Sequence, residues 1–287
     1  MNPYLQFVSA LDRLVRDGRQ YPLGGVEPPR RAPIAADAPR VLIFSPHPDD
    51  ECIIGGLALR LQREAGMRVG NVAVTLGSRR DRQAGRWIEL AAACGYLGFD
   101  LIPTAPGGLE QVTAAARARD PRQWADSIAA IAAILRDQRP AAIFFPHETD
   151  WNSTHVGTHH LLMDALAQQA PDFATIVFET EFWGAMASPN LMVEVSVSDL
   201  ADMITALSFH AGEVQRNPYH LLVPPWMQDN VRRGGELVGG QGGAAPDFTF
   251  CTLYRARRWQ DGALTPLYTR GLTLPAAIDA ALAFEGG

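Results

Sequence analysis

The 287-residue chain is poor in cysteine, in net basic charge and in long apolar runs. Cys52, Cys94 and Cys251 are odd in number, far apart and never in a C-x-x-C pair, so they read as reduced thiols of a cytoplasmic protein rather than as a disulfide framework. Acidic residues outnumber basic ones by 31 to 25, a formal charge of −6, and no basic run suited to a phosphate backbone stands out. Nucleic acid is therefore not an expected partner. No apolar stretch has the length that spans a bilayer, and Asp12, Arg13, Arg16 and Asp17 interrupt any secretory core, so a soluble chain without a membrane span is expected. No G-x-G-x-x-G follows the first candidate strand and no G-x-x-x-x-G-K-S/T occurs, which argues against a nucleotide-binding protein. Internal repeats are absent too.

What is present is a globular composition, 47% apolar, in an alternating pattern. Residues 4–16 carry a helical stripe (Leu5, Phe7, Val8, Leu11, Leu14, Val15), and prolines and glycines from Pro22 to Pro39 make an irregular arm. Residues 1–39 are thus read as a helical leader and arm, and 40–287 as a single domain. The leader packs either on its own domain or on a neighbouring subunit, which leaves a homo-oligomer open. From Arg40 onward, strands are expected at 41–44, 68–75, 99–102, 141–145, 175–179 and 191–195, separated by helices such as 81–97, 122–137, 155–169 and 198–214. Helix 81–97 should turn Trp87, Leu90, Ala91, Cys94 and Leu97 inward. Such alternation implies right-handed crossovers and an α/β fold, a Rossmann-like, mostly parallel sheet with helices on both faces. The C-terminal region differs: Arg232 to Gly243 reads as a glycine-rich mobile loop or lid, and Phe248 to Arg257 as an isolated strand.

The chemistry gathers in two stretches. Ser45-Pro46-His47-Pro48-Asp49-Asp50-Glu51 lies where the first strand turns into a helix, the place where open α/β sheets bind ligands. An imidazole with a carboxylate makes half of a zinc site, and the adjoining carboxylate is free to act as a base. The acids alone would also suit a helix N-terminus, but a histidine held between two prolines needs another account. The loop after the fourth strand, His147 to His155, with His159 and His160 behind it, holds four of the seven histidines within fourteen residues. Parallel strands bring this loop to face the first. His155 is favoured over His159 as the histidine that reaches the crevice, because it sits nearest the loop.

Pro46-His47-Pro48-Asp49-Asp50-Glu51, followed by Gly55-Gly56, resembles the signature of the LmbE-like, or PIG-L, family of zinc-dependent N-acetylglucosamine deacetylases. Arg86-x-x-Glu89 is similar to that family's Arg-x-x-Glu helix, and Ala206-Leu207-x-x-His210 to a later segment; the likeness runs over about residues 40–215. It implies zinc held by His47, Asp50 and His155, with Asp49 as the base that deprotonates the bound water, and hydrolysis of an N-acyl group, most simply acetyl, from an amino sugar or its conjugate. The family's His-Pro-Asp-His is Asn152-Ser153-Thr154-His155 here, so an amide stands where the general-acid histidine is expected. Asn152 can still donate a hydrogen bond to an oxyanion. Three outcomes follow: Asp49 shuttles the proton both ways, His147, His159 or His210 substitutes, or catalysis is altered, leaving a metal-binding relative or a deacylase of a non-sugar amide. Arg86 is a candidate contact to sugar hydroxyls, against a simple pairing with Glu89. Arg79 and Arg80 suggest an anionic substrate unless merely solvated, and Trp183 is either a sugar-stacking ring or a core residue.

Overall fold

The computed structural model describes residues 2–286. Helix α1 (Pro3–Gly18) is started by the Asn2 side chain, which accepts the Tyr4 N–H, and by a proline in its first turn. The irregular arm leads to β1 (Arg40–Ser45), and the short helices α2 (Asp50–Ile54) and α3 (Gly56–Glu64) follow. Next come β2 (Arg68–Ala73), α4 (Arg80–Leu97), β3 (Asp100–Pro103), α5 (Ala114–Arg119) and α6 (Pro121–Gln138). β4 (Ala142–Pro146), α7 (Ser153–Leu166), β5 (Thr175–Thr180) and β6 (Leu191–Glu194) continue the alternation. The remainder holds α8 (Val197–Ser208), α9 (Ala211–Val214), α10 (Tyr219–Leu237), β7 (Cys251–Gln260), β8 (Ala263–Pro266), β9 (Leu272–Leu274) and a 3-10 turn at Ala280–Phe284.

The sheet runs β3-β2-β1-β4-β5-β7-β6-β9, with β8 beside β7. β3, β2, β1, β4 and β5 are parallel, and β7 lies antiparallel to both β5 and β6. This is the mixed α/β architecture with a mostly parallel sheet that the alternation implies. Strand pleating sends Val41 and Ile43 of β1 to one face and Leu42 and Phe44 to the other. The first face packs under α2, α3, α4 and α8; the second packs under α6 and α7. Because β1 has β2 on one side and β4 on the other, the strand order reverses there and a crevice opens at their carboxyl ends.

Four expectations need correction. The helix expected over 198–214 breaks after Ser208; His210 then begins α9 by accepting the N–H groups of Glu213 and Val214. The start of the glycine-rich stretch is not a loop but the last turns of α10. A Cβ on Gly234 would come within 2.4 Å of the Met192 sulfur, so glycine serves close approach there rather than mobility. The strand expected to stand alone is β7, an interior strand of the sheet. In α4, Ala91 is exposed, whereas Leu90, Cys94 and Leu97 are buried. The C-terminal segment is fastened by Arg60 of α3, fully buried, which donates to the carbonyls of Glu194, Leu274, Pro275 and Ile278.

Candidate metal centre

Two loops meet at the crevice. After β1, the His47 N–H donates to Oδ2 of Asp50 (2.9 Å) while the Asp50 N–H donates to the His47 carbonyl (3.4 Å), closing the turn. After β4, the Asn152 side-chain oxygen accepts the Thr154 N–H (2.9 Å), which starts α7 and sets His155 in its first turn. Nε2 of His155 then lies 3.4 Å from Oδ2 of Asp50, and Nδ1 of His47 lies 3.7 Å from the same oxygen. One ligand atom from each of the three residues lies within 4.8 Å of the other two. Zinc bonds of about 2.0–2.1 Å fit a gap of that size. Nε2 of His155 is buried and makes no hydrogen bond, an unfavourable state for a polar atom unless a cation takes its lone pair. The residue types and spacing therefore fit a divalent metal. Behind His155, Oδ2 of Asp150 sits 3.6 Å from Nδ1, and Oδ1 of Asp150 accepts the Asn152 N–H (2.8 Å). Such a carboxylate orients a ligating imidazole.

The charges are tightly set. Burial would raise the Asp50 carboxyl, but the His155 charge, helped by His47, holds it far below the usual range. For His155, burial works downward, and the charges of Asp50 and Asp150 outweigh it and carry the pKa up to about 10. Proton and metal thus compete for one nitrogen. Asp49 moves the other way: burial, then the neighbouring Asp50 and Glu51 charges, raise it well above the carboxylate range, with Arg86 opposing. Its backbone has φ 113°, ψ −30°, whereas the other non-glycine residues of positive φ, Gln111, Arg139 and Asp261, have φ of 42–57°. Holding Asp49 so costs about 1–3 kcal/mol.

A cleft of about 410 Å³ opens from His47 and Asp49. Asn152 and Trp151 line it, Trp151 being 82% exposed. Arg79, Arg82 and Arg86 line it too, with Trp183, Glu213, Arg216 and Tyr219. Arg86 is paired with Glu213 (3.1 Å), not with Glu89, which accepts the Gly212 N–H instead. Arg79 lines the cleft but pairs with Asp81, and Arg80 pairs with Glu110 outside it. Trp183 lies on the cleft, packed edge-on against Phe182 and Tyr219 rather than sunk in the core.

The three histidines considered as substitutes for the general acid are engaged elsewhere. His147 donates from Nε2 to the Gly184 carbonyl (2.8 Å), His159 bonds the Pro146 carbonyl (3.1 Å), and His210 bonds Glu51 (2.8 Å). None lines the cleft. Asp150, Glu213 and Tyr219 were not singled out from the sequence. Asp150 lies inside the named loop, but Glu213 and Tyr219 arrive from beyond α8 and carry no signal of their own.

Residues 42–166 match the family model PIG-L: GlcNAc-PI de-N-acetylase. A 1D-myo-inositol 2-acetamido-2-deoxy-alpha-D-glucopyranoside deacetylase of Mycobacterium leprae is 27% identical over 158 residues, covering 46% of this chain and 51% of that protein. The chain thus spans about half the length of the curated relatives it matches. Among solved structures, the N,N'-diacetylchitobiose deacetylase of Pyrococcus horikoshii superposes with a TM-score of 0.54 at 17% identity, over 87% of this chain and 92% of that one. A 4-carboxy-2-hydroxymuconate hydratase of Pseudomonas putida gives 0.58 at 18% identity, over 76% and 95%. Likeness at that identity shows the fold alone, and one fold hosts both reactions. His47, Asp50 and His155 all lie inside residues 42–166, the segment that matches the PIG-L: GlcNAc-PI de-N-acetylase family model.

Proposed function

We propose that the protein is a metal-dependent N-deacylase that removes an acyl group, most simply acetyl, from an amino sugar or its conjugate. The observation that carries this is the buried, unbonded Nε2 of His155, gathered with His47 and Asp50 beside the buried carboxyl of Asp49 at the base of an open cleft. His47, Asp50 and His155 would hold a zinc ion, which would supply Lewis acidity and a water of pKa about 7. Asp49 accepts the proton of the attacking water and returns it to the leaving nitrogen, which needs no second imidazole. Asn152 spends its carbonyl oxygen on the helix cap, so its amide nitrogen is the donor left for the developing oxyanion. Arg86 contacts sugar hydroxyls, and the faces of Trp183 and Tyr219 offer stacking to the ring. A cytoplasmic location belongs to the same reading, supported by three buried, unpaired cysteines.

The test is acetate release by the zinc-loaded chain from N-acetylglucosamine, its glycosides and N,N'-diacetylchitobiose. Asp49→Asn should lower turnover at least about 100-fold with zinc content unchanged, and chelation should abolish it until zinc is restored. A second reading, a metal-binding relative with altered catalysis, is favoured by one observation: among the described residues His47 is the only imidazole on the cleft. Full zinc occupancy with no acetate released from any of these probes would select it.

A further inference from the structure

The geometry points to Glu51 and His210 as positioning residues that hold Asp49 in its left-handed backbone conformation. The inference rests on the role proposed for Asp49 but is carried by separate contacts. The Asp49 N–H donates to Oε2 of Glu51 (3.0 Å). The other oxygen, Oε1, lies 2.8 Å from Nε2 of His210 and 3.2 Å from the Cys52 sulfur. A carboxylate only accepts, so Nε2 of His210 is the donor. Glu51 and His210 are both 0% exposed, and Nδ1 of His210 has no partner, so the ring has no polar contact beyond Glu51 to explain its burial.

His210 follows α8, 159 residues beyond Glu51. Its carbonyl starts α9, whose Glu213 pairs with Arg82 and Arg86 on the cleft wall. One hydrogen bond thus joins the loop bearing Asp49 to the segment whose Glu213 lines the cleft. The metal ligands do not depend on it, because His47 and Asp50 are tied to each other by their own pair of hydrogen bonds. Loss of the Glu51–His210 bond therefore frees Asp49 to relax toward negative φ while the ligand set stays in place. A displaced base slows the chemical step, and about 1 Å is enough to matter.

The experiment compares His210→Leu and His210→Phe, which keep bulk but lack a donor, with His210→Gln, whose amide can donate to the same oxygen. Each full-length variant is loaded with zinc, assayed on the acetylated probes above, and crystallised. The expected result for Leu and Phe is a kcat lower by about 10–100-fold, KM within about twofold of wild type, one zinc per chain, and Asp49 out of positive φ; Gln should recover most of the loss. Asp49 remaining at positive φ in the Leu or Phe crystals would overturn the inference, as would equal losses in Gln, Leu and Phe, which would mark packing alone. If the wild type releases no acetate, the proposed function fails, and the φ of Asp49 in the variants still decides this point.

Discussion

At the scale of single residues, the candidate centre depends on how one imidazole is aimed. Asp150 does this for His155 through a carboxylate 3.6 Å from Nδ1 while the same side chain braces the turn at Asn152. Asp150→Asn keeps an oxygen for the Asn152 N–H but withdraws the charge. Zinc affinity, read by competition with a chromophoric chelator, should fall about 10–100-fold; an unchanged affinity would show that Asp150 has no such part. His47, Asp50 and His155 could be named from sequence because histidine and acid types at strand ends carry metal chemistry. Asp150 could not be told from Glu148 or from a loop-capping acid, since no spacing rule says which carboxylate of an irregular loop turns back on its own helix. The fate of His147, His159 and His210 was equally hidden: each bonds a partner distant in sequence or a backbone carbonyl.

At the scale of elements, periodicity placed the helices and strands, and long-range packing set their ends and roles. Arg60 shows the limit. It lies in α3, is fully enclosed, and gathers carbonyls from β6, β9 and the segment after β9, besides Glu64. Arg60→Leu should cost about 3–5 kcal/mol, because several buried acceptors and an acid lose their partner. Denaturant unfolding measures the loss, and limited proteolysis should show cleavage after Leu274 before the rest of the chain opens. Cleavage no faster than in wild type would mean that the C-terminal segment is held by its apolar contacts instead. The glycine-rich end of α10 was misread for a related reason: local propensity disfavours helix at Gly234, but Met192 and Leu253 leave no room for a side chain there.

At the scale of the whole molecule, every one of the 25 basic residues is arginine, and stability should depend on pH through buried groups that are not themselves candidate metal ligands. Burial lowers His159, against the opposing pull of Glu179 and the Pro146 carbonyl, and burial also lowers His220. A histidine whose folded pKa is depressed binds its proton more readily when unfolded. Stability is therefore held above the unfolded value of 6.5 and lost as pH falls below it. Glu148 adds to this at lower pH: burial would raise it, but the hydrogen bond and charge from Arg255 hold it at about 2, so its share is present above the unfolded 4.5 and is lost as pH falls from there toward about 2. Melting temperature should drop between pH 7 and 5 in wild type and less steeply in His159→Gln; equal slopes would remove His159 from the account. Helix α1 stands apart, with Tyr4, Phe7, Leu11 and Leu14 at three-and-four spacing and 46–74% exposed, beside two acids and two arginines that balance. A neutral helix with such a seam suits a second copy of itself. Sedimentation should show concentration-dependent self-association that Leu11→Glu abolishes; a monomer at all concentrations would leave the seam without that role.

By itself, the sequence determined the alternation of strand and helix, hence a mostly parallel sheet, and it put metal-binding residue types at the ends of two strands, because hydrophobic period and residue chemistry are local properties. Only the tertiary structure decided that these strands are neighbours at the point where the sheet order reverses. It also decided that Glu51 joins the Asp49 N–H to His210, and that among the described residues His47 is the histidine that lines the cleft. Such pairings depend on side-chain direction and packing across more than a hundred residues, and a linear pattern does not encode them singly.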